Sequence, residues 1–163
     1  MEKGHSMNVS RFGLEYNPFL KNSKEILLET AQYRETRFRL SYLEKTKGFG
    51  LLTGGPGRGK ATALRSWAAS MNPSLYKMVY SCLSTLTVTD FYRSLTEALG
   101  GQPSFRKPDN FRSIQDEIKR LSMEKKKTPV IIIDEANYIS NAILNDLKLL
   151  FNFEMDSRDR AVV

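Results

Sequence analysis

The sequence predicts an α/β fold of three layers, a parallel sheet held between helices. Three observations predict it. Short apolar runs rich in β-formers alternate with longer runs of helical period. A glycine-rich turn, Gly54 to Lys60, stands between an apolar run and a helical one. Four β-branched residues, Val130 to Ile133, end in the acidic pair Asp134-Glu135.

Taken in order, residues 1–22 read as an extended N-terminal segment, in which Asn17-Pro18-Phe19 is an extended or turn element. Residues 23–163 read as one α/β domain. Residues about 24–47 have helical character, with Tyr33, Phe38, Leu40, Tyr42 and Leu43 as apolar anchors and Gly48 as the stop. Phe49-Gly50-Leu51-Leu52-Thr53 reads as a buried strand. Lys60 to Ser70 is a helix with Leu64, Trp67 and Ala68 on one face, ended by Asn72-Pro73. Tyr76 to Cys82 is a second strand. Residues 90–99 form an amphipathic helix on Phe91, Leu95 and Leu99, closed by Gly100-Gly101. Asp109 caps the next helix, which carries Phe111, Ile114, Ile118 and Leu121 and ends in Lys125-Lys126-Lys127 at the negative pole of its dipole. Pro129 to Ile133 is a third strand, apolar on both faces and therefore central. Ser140 or Asn141 caps a last helix with Ile143, Leu144, Leu147 and Leu150 inward, and Arg160 to Val163 begins another strand. The aromatic residues Phe38, Tyr42, Phe91, Tyr92 and Phe111 are expected in the core rather than as base-stacking platforms, and Trp67 is expected to pack its helix onto the sheet.

Composition narrows the function classes. At 163 residues the chain can bury one core. Its formal charge of +7 suits a polyanion such as nucleic acid or an acidic membrane face, and equally a generic basic protein. The single cysteine, Cys82, rules out an internal disulfide, fits a reducing cytoplasmic setting and reads as a small buried apolar residue. A single histidine, His5, leaves no material for a histidine metal site or a catalytic triad. No apolar run reaches membrane-span length, and the first residues lack a signal-peptide core.

The chemistry lies in the glycine-rich turn and the acidic pair. Gly54-Gly55-Pro56-Gly57-Arg58-Gly59-Lys60 has the spacing of a phosphate-binding loop. Its glycines let the chain approach phosphate oxygens, successive N–H groups converge on the anion, and the following helix presents its positive end. Lys60 reaches the outer phosphates, and Pro56 stiffens the loop. The position after the lysine, where a hydroxyl normally touches Mg²⁺, is Ala61. Thr62 is one helical step on, rotated by about 100° and so directed away. Phosphate binding is therefore expected to survive with weakened hydrolysis, on the order of a hundredfold in rate. Asp134 fits the carboxylate that holds hydrated Mg²⁺, and Glu135 the base that activates water.

Together these residues resemble the ExeA-like AAA+ ATPases, a group related to the IstB and TnsC transposition helpers. The likeness runs through Phe12-Gly13-Leu14, Asn17-Pro18-Phe19, Leu52-Thr53-Gly54, Thr62-Ala63-Leu64-Arg65, Thr128 to Ala136 and Leu144-Asn145-Asp146-Leu147-Lys148. It implies an αβα P-loop NTPase whose fourth strand lies between the first and third. It implies ATP with Mg²⁺ as cofactors, and Asn17-Pro18-Phe19 near the adenine. A polar switch residue is expected at Ser81 or Ser84. Homo-oligomeric rings or filaments are expected, with Arg158 or Arg160 entering the neighbouring site. Further strands and a helical lid are expected beyond Val163, so the chain reads as a truncated copy. The first functional expectation is a transposition helper acting with double-stranded DNA and a transposase. The alternatives are a secretion-type accessory ATPase, or a nucleotide-binding remnant without hydrolysis. Arg106-Lys107, Lys119-Arg120 and Lys125-Lys126-Lys127 are candidates for a DNA-facing surface or simply solvated helix ends.

Overall fold

A computed structural model describes residue 13 and residues 29–82, 87–151 and 160–163. The expectations for residues 1–12, Asn17-Pro18-Phe19, residues 24–28, Ser84, Arg158 and the side chain of Cys82 lie outside the described residues. The residues Gln32–Val163 form one compact unit. Its regular elements are α1 (Ala31–Thr46), α2 (Lys60–Ser70), β1 (Tyr76–Cys82), α3 (Val88–Leu99), α4 (Lys107–Met123), β2 (Thr128–Asp134) and α5 (Asn141–Leu150), with a 3-10 turn at Ala136–Tyr138.

The sheet is parallel. β1 pairs with β2 from Tyr76 opposite Thr128 to Cys82 opposite Asp134. On the other side of β2 lies the short extended run Ala161–Val163, where Val162 N donates to Pro129 O (3.0 Å) and Ile131 N donates to Val162 O (2.8 Å). That run in turn holds Gly48–Gly50: Gly48 N donates to Ala161 O (2.9 Å), Val163 N to Gly48 O (2.9 Å) and Gly50 N to Val163 O (2.8 Å). The order across the sheet is therefore β1, β2, 161–163, 48–50. This is the order expected from the resemblance, with the fourth extended run between the first and the third.

Two apolar layers cover the two faces, as the alternation of a strand requires. Val130, Ile132 and Val162 meet Leu40, Trp67 and Met71 on the face of α1 and α2. Val79, Ile131 and Ala161 meet Phe91, Leu95, Ile114, Ile118, Ile143 and Leu147 on the face of α3, α4 and α5. Trp67 packs its helix onto the sheet, as expected. Burial of each such aliphatic chain contributes about 1.5–3 kcal/mol, so the three-helix face holds most of the core.

Four expectations are corrected, and one alternative is resolved. Residues 49–53 do not form a buried strand: their backbone pairing is seen only at Gly50, and Leu51 is 82 % exposed. Phe38 and Tyr42 are surface residues, since α1 turns only Leu40 fully inward and Leu43 partly. The N-cap of α4 is Arg106, not Asp109. Pro108 stands in that first turn, where its missing N–H leaves no intrahelical bond unmade, and this starts the helix before Asp109. Leu144 is largely exposed because Ile143, Leu147 and Leu150 define the inner stripe of α5. Ser140, rather than Asn141, caps that helix, its hydroxyl accepting from Ile143 N (3.4 Å).

Candidate functional site

The glycine-rich loop leaves the sheet at the carboxyl ends of its strands. Val162 bridges Gly48 on one side and Val130 on the other. The parallel register of these bridges runs the chain after Gly50 toward the end of the sheet at which Asp134 closes β2. The loop therefore opens at the same edge of the sheet as the acidic pair, one extended run apart. Two strand spacings separate them, about 10 Å. Asp134 also shares its face with Val130 and Ile132, the residues on which α2 packs. Lys60 begins α2. The topology thus brings the loop, Lys60 and Asp134 to one edge and one face.

The loop's own conformation depends on glycine. Gly54, Gly57 and Gly59 have φ of 155°, 72° and 79°, a region in which a side chain is strained. Gly59 is the N-cap of α2 and has no side chain to satisfy the first N–H groups of the helix. Those donors and the positive end of the helix dipole face the loop. The Lys60 ammonium folds back over the loop and donates to Gly54 O (2.6 Å) and Gly55 O (2.9 Å). Pro56 and Arg58 are exposed, as is the rest of the loop from Gly54 to Gly59. Ala61 and Thr62 are half-buried in the first turn of α2.

At the end of β2, both oxygens of Asp134 are engaged. Oδ1 accepts from Glu135 N (2.9 Å) and Oδ2 from the Tyr80 hydroxyl (2.5 Å). Glu135 itself takes a left-handed conformation, φ 54°, at the start of the 3-10 turn. Such a conformation in a non-glycine residue is uncommon and clusters at functional sites. Tyr80 was not among the sequence candidates. Its contact depends on the register between β1 and β2, which no local pattern encodes.

The donor set suits a phosphate chain and a hydrated divalent cation. The amides and Lys60 would hold phosphate oxygens. Asp134 would hold the cation through one carboxylate, since Mg²⁺ keeps several waters and takes phosphate oxygens as ligands. Among the described residues no group of three or more His, Cys, Asp or Glu side chains gathers to hold a metal by itself. Ser81 is buried on the opposite face of the sheet from Asp134. Arg160 precedes the central run and lies toward the opposite edge of the sheet from the loop.

The model of a family described as AAA domain matches residues 43–163. The chain belongs to the AAA domain family. Within this AAA domain the match takes in the loop, the acidic pair and, of α1, only the last turn. The chain is also similar to General secretion pathway protein A of Aeromonas hydrophila, at 28 % identity over 157 residues. That alignment covers 93 % of this chain and 28 % of the relative, so the chain spans little over a quarter of the relative's length. Neither match carries transposition in its name. No helix among the described residues is long and apolar enough to cross a membrane.

The candidate basic residues are spread along α4 and beyond its two ends in this AAA domain. Arg106 and Lys125 stand beyond opposite ends of α4, about 25 Å apart for a helix of this length. Lys107 is paired with Asp146, and Arg120 with Glu117 (2.5 Å). A broad groove lined by Phe49, Asn141, Leu144, Asn145, Leu147 and Lys148 includes no residue of the loop or of the acidic pair.

Proposed function

We propose that this AAA domain binds ATP with Mg²⁺ and serves as the nucleotide-driven part of a secretion-type accessory ATPase. One arrangement supports the nucleotide reading: the glycine loop and Asp134 both follow parallel extended runs, and α2, which Lys60 begins, packs on the face to which Asp134 belongs by alternation. The likeness to a secretion-pathway protein supports the wider role better than the transposition role.

In this reading the amides of Gly55 to Lys60 bind the β- and γ-phosphates. Lys60 exchanges its two carbonyl partners for phosphate oxygens and neutralises charge there. Asp134 would hold the hydrated Mg²⁺, which would supply charge neutralisation at the phosphates. Glu135 would position a water and accept its proton as the water attacks the terminal phosphorus and the bond to the bridging oxygen breaks, releasing ADP and phosphate. Ala61 offers no oxygen to the metal, so turnover is slow and the ATP-bound state long-lived. Slow turnover suits a switch whose bound state engages other subunits or a partner protein.

The test compares the wild type with Lys60→Ala and Glu135→Gln, using a fluorescent ATP analogue for binding and phosphate release for turnover. Lys60→Ala is expected to weaken binding at least tenfold. Glu135→Gln should keep binding and lose the residual turnover. Wild-type binding without any turnover would make the chain a non-hydrolysing nucleotide module. Absence of ATP and ADP binding by the folded wild type would overturn the reading.

A further inference from the structure

Tyr80 lies in β1, opposite Ile132 in the parallel register, and Asp134 stands two residues beyond Ile132 on the same face. A diagonal pair of this kind has its Cβ atoms about 7–8 Å apart, which a tyrosine side chain spans. The Tyr80 ring is 56 % exposed and contributes little to the core. Its hydroxyl nevertheless donates to Asp134 Oδ2 at 2.5 Å. The second oxygen, Oδ1, is held by the Glu135 amide at 2.9 Å. The carboxylate is thus fixed at both ends, by a strand neighbour and by its own turn.

The absence of a hydroxyl at Ala61 increases the importance of that restraint. With no hydroxyl at position 61, the orientation of a cation falls more heavily on the Asp134 carboxylate. A carboxylate free to rotate would lose orientation entropy on each binding event, and partners that fix a metal ligand typically account for 10–100-fold in affinity. We propose that Tyr80 is a positioning residue for the metal-holding carboxylate, acting through Asp134 and touching neither nucleotide nor metal. The inference rests on the nucleotide reading given above and adds the device that sets its Mg²⁺ requirement.

The experiment measures binding of a fluorescent ATP analogue to the full chain, in EDTA and across a Mg²⁺ titration. It uses the wild type, Tyr80→Phe and the control Tyr42→Phe, with thermal unfolding to verify folding. Tyr80→Phe keeps the ring and removes only the hydroxyl. It should bind the analogue as the wild type does in EDTA and require about tenfold more Mg²⁺ for the half-maximal effect. Tyr42→Phe should match the wild type throughout. Mn²⁺ in place of Mg²⁺, counted by electron paramagnetic resonance, should show the same loss of metal affinity without any turnover. An unchanged metal requirement in Tyr80→Phe, or a wild type whose binding ignores Mg²⁺, overturns the role of Tyr80 and leaves nucleotide binding standing. A wild type that binds no nucleotide with or without metal removes the nucleotide reading, and this role with it.

Discussion

Lys60 holds the carbonyls of Gly54 and Gly55, contacts that a phosphate must replace. Next to it, Ala61 stands where the proposed mechanism would use a hydroxyl. Ala61→Thr restores a hydroxyl at the metal side of the loop and should raise phosphate release by about a hundredfold, since a lost metal ligand costs a few kcal/mol at the transition state. Single-turnover assays with saturating ATP check this. Both the motif and its departure are visible in the sequence, because a phosphate-binding loop is one continuous stretch. The Tyr80–Asp134 pair is not, because its partners are brought together by strand register alone. Tyr92 poses a separate electrostatic question in the core between α3 and α5. Burial, and then the Asp146 carboxylate, hold its phenol well above the usual tyrosine pKa. The folded state therefore keeps the proton that the unfolded chain releases near pH 10. Stability from this group is complete below pH 10 and falls as the pH rises beyond it. Tyr92→Phe should flatten that alkaline fall relative to the wild type, read as melting temperature between about pH 8 and 11.

At the scale of elements, α3, β2, α4 and α5 were legible because their apolar residues recur at a single clear period. Phe91, Leu95 and Leu99 are buried together, as are Ile114, Ile118 and Leu121. The period fails where a helix meets the sheet along a narrow contact. In α1 the sequence offers four large apolar or aromatic residues besides Leu40, yet Leu40 alone is fully buried. Nothing local distinguishes Phe38 and Tyr42 from core aromatics. Asn110 is the reverse case, a polar residue in the fully buried stripe of α4. Its amide accepts from Ser104 N (2.8 Å) and donates to Ser104 O (2.8 Å), fastening the loop before α4 onto the first turn. Sequence patterning misses it because a lone Asn looks like a solvent position. Asn110→Ala leaves those backbone groups without their partner and should destabilise the domain by about 1–3 kcal/mol. Urea unfolding measures it. The Tyr80→Phe change, on the surface, should leave the same curve unmoved.

Across the whole molecule, the loop-bearing run is connected to the sheet through Ala161–Val163. Gly48–Gly50 pairs with that run and not directly with β2. Val162→Pro removes the N–H that bonds Pro129 O and should detach the run. The expected outcome is fast amide exchange at Gly48 and Gly50 and loss of nucleotide affinity, while β1 and β2 keep their protection. Hydrogen exchange followed by mass spectrometry resolves the two. The same arrangement has a consequence for biosynthesis. Gly48 leaves the ribosome about a hundred residues ahead of the run it must pair with, and at 5–20 residues per second the interval is roughly 5–20 s. Through that interval Phe49 and Leu51 sit on an unpaired edge, a target for chaperones and for stray strands of other nascent chains. Docking of the loop-bearing run onto the sheet thus waits on residues 161–163, although β1 and β2 can pair before them.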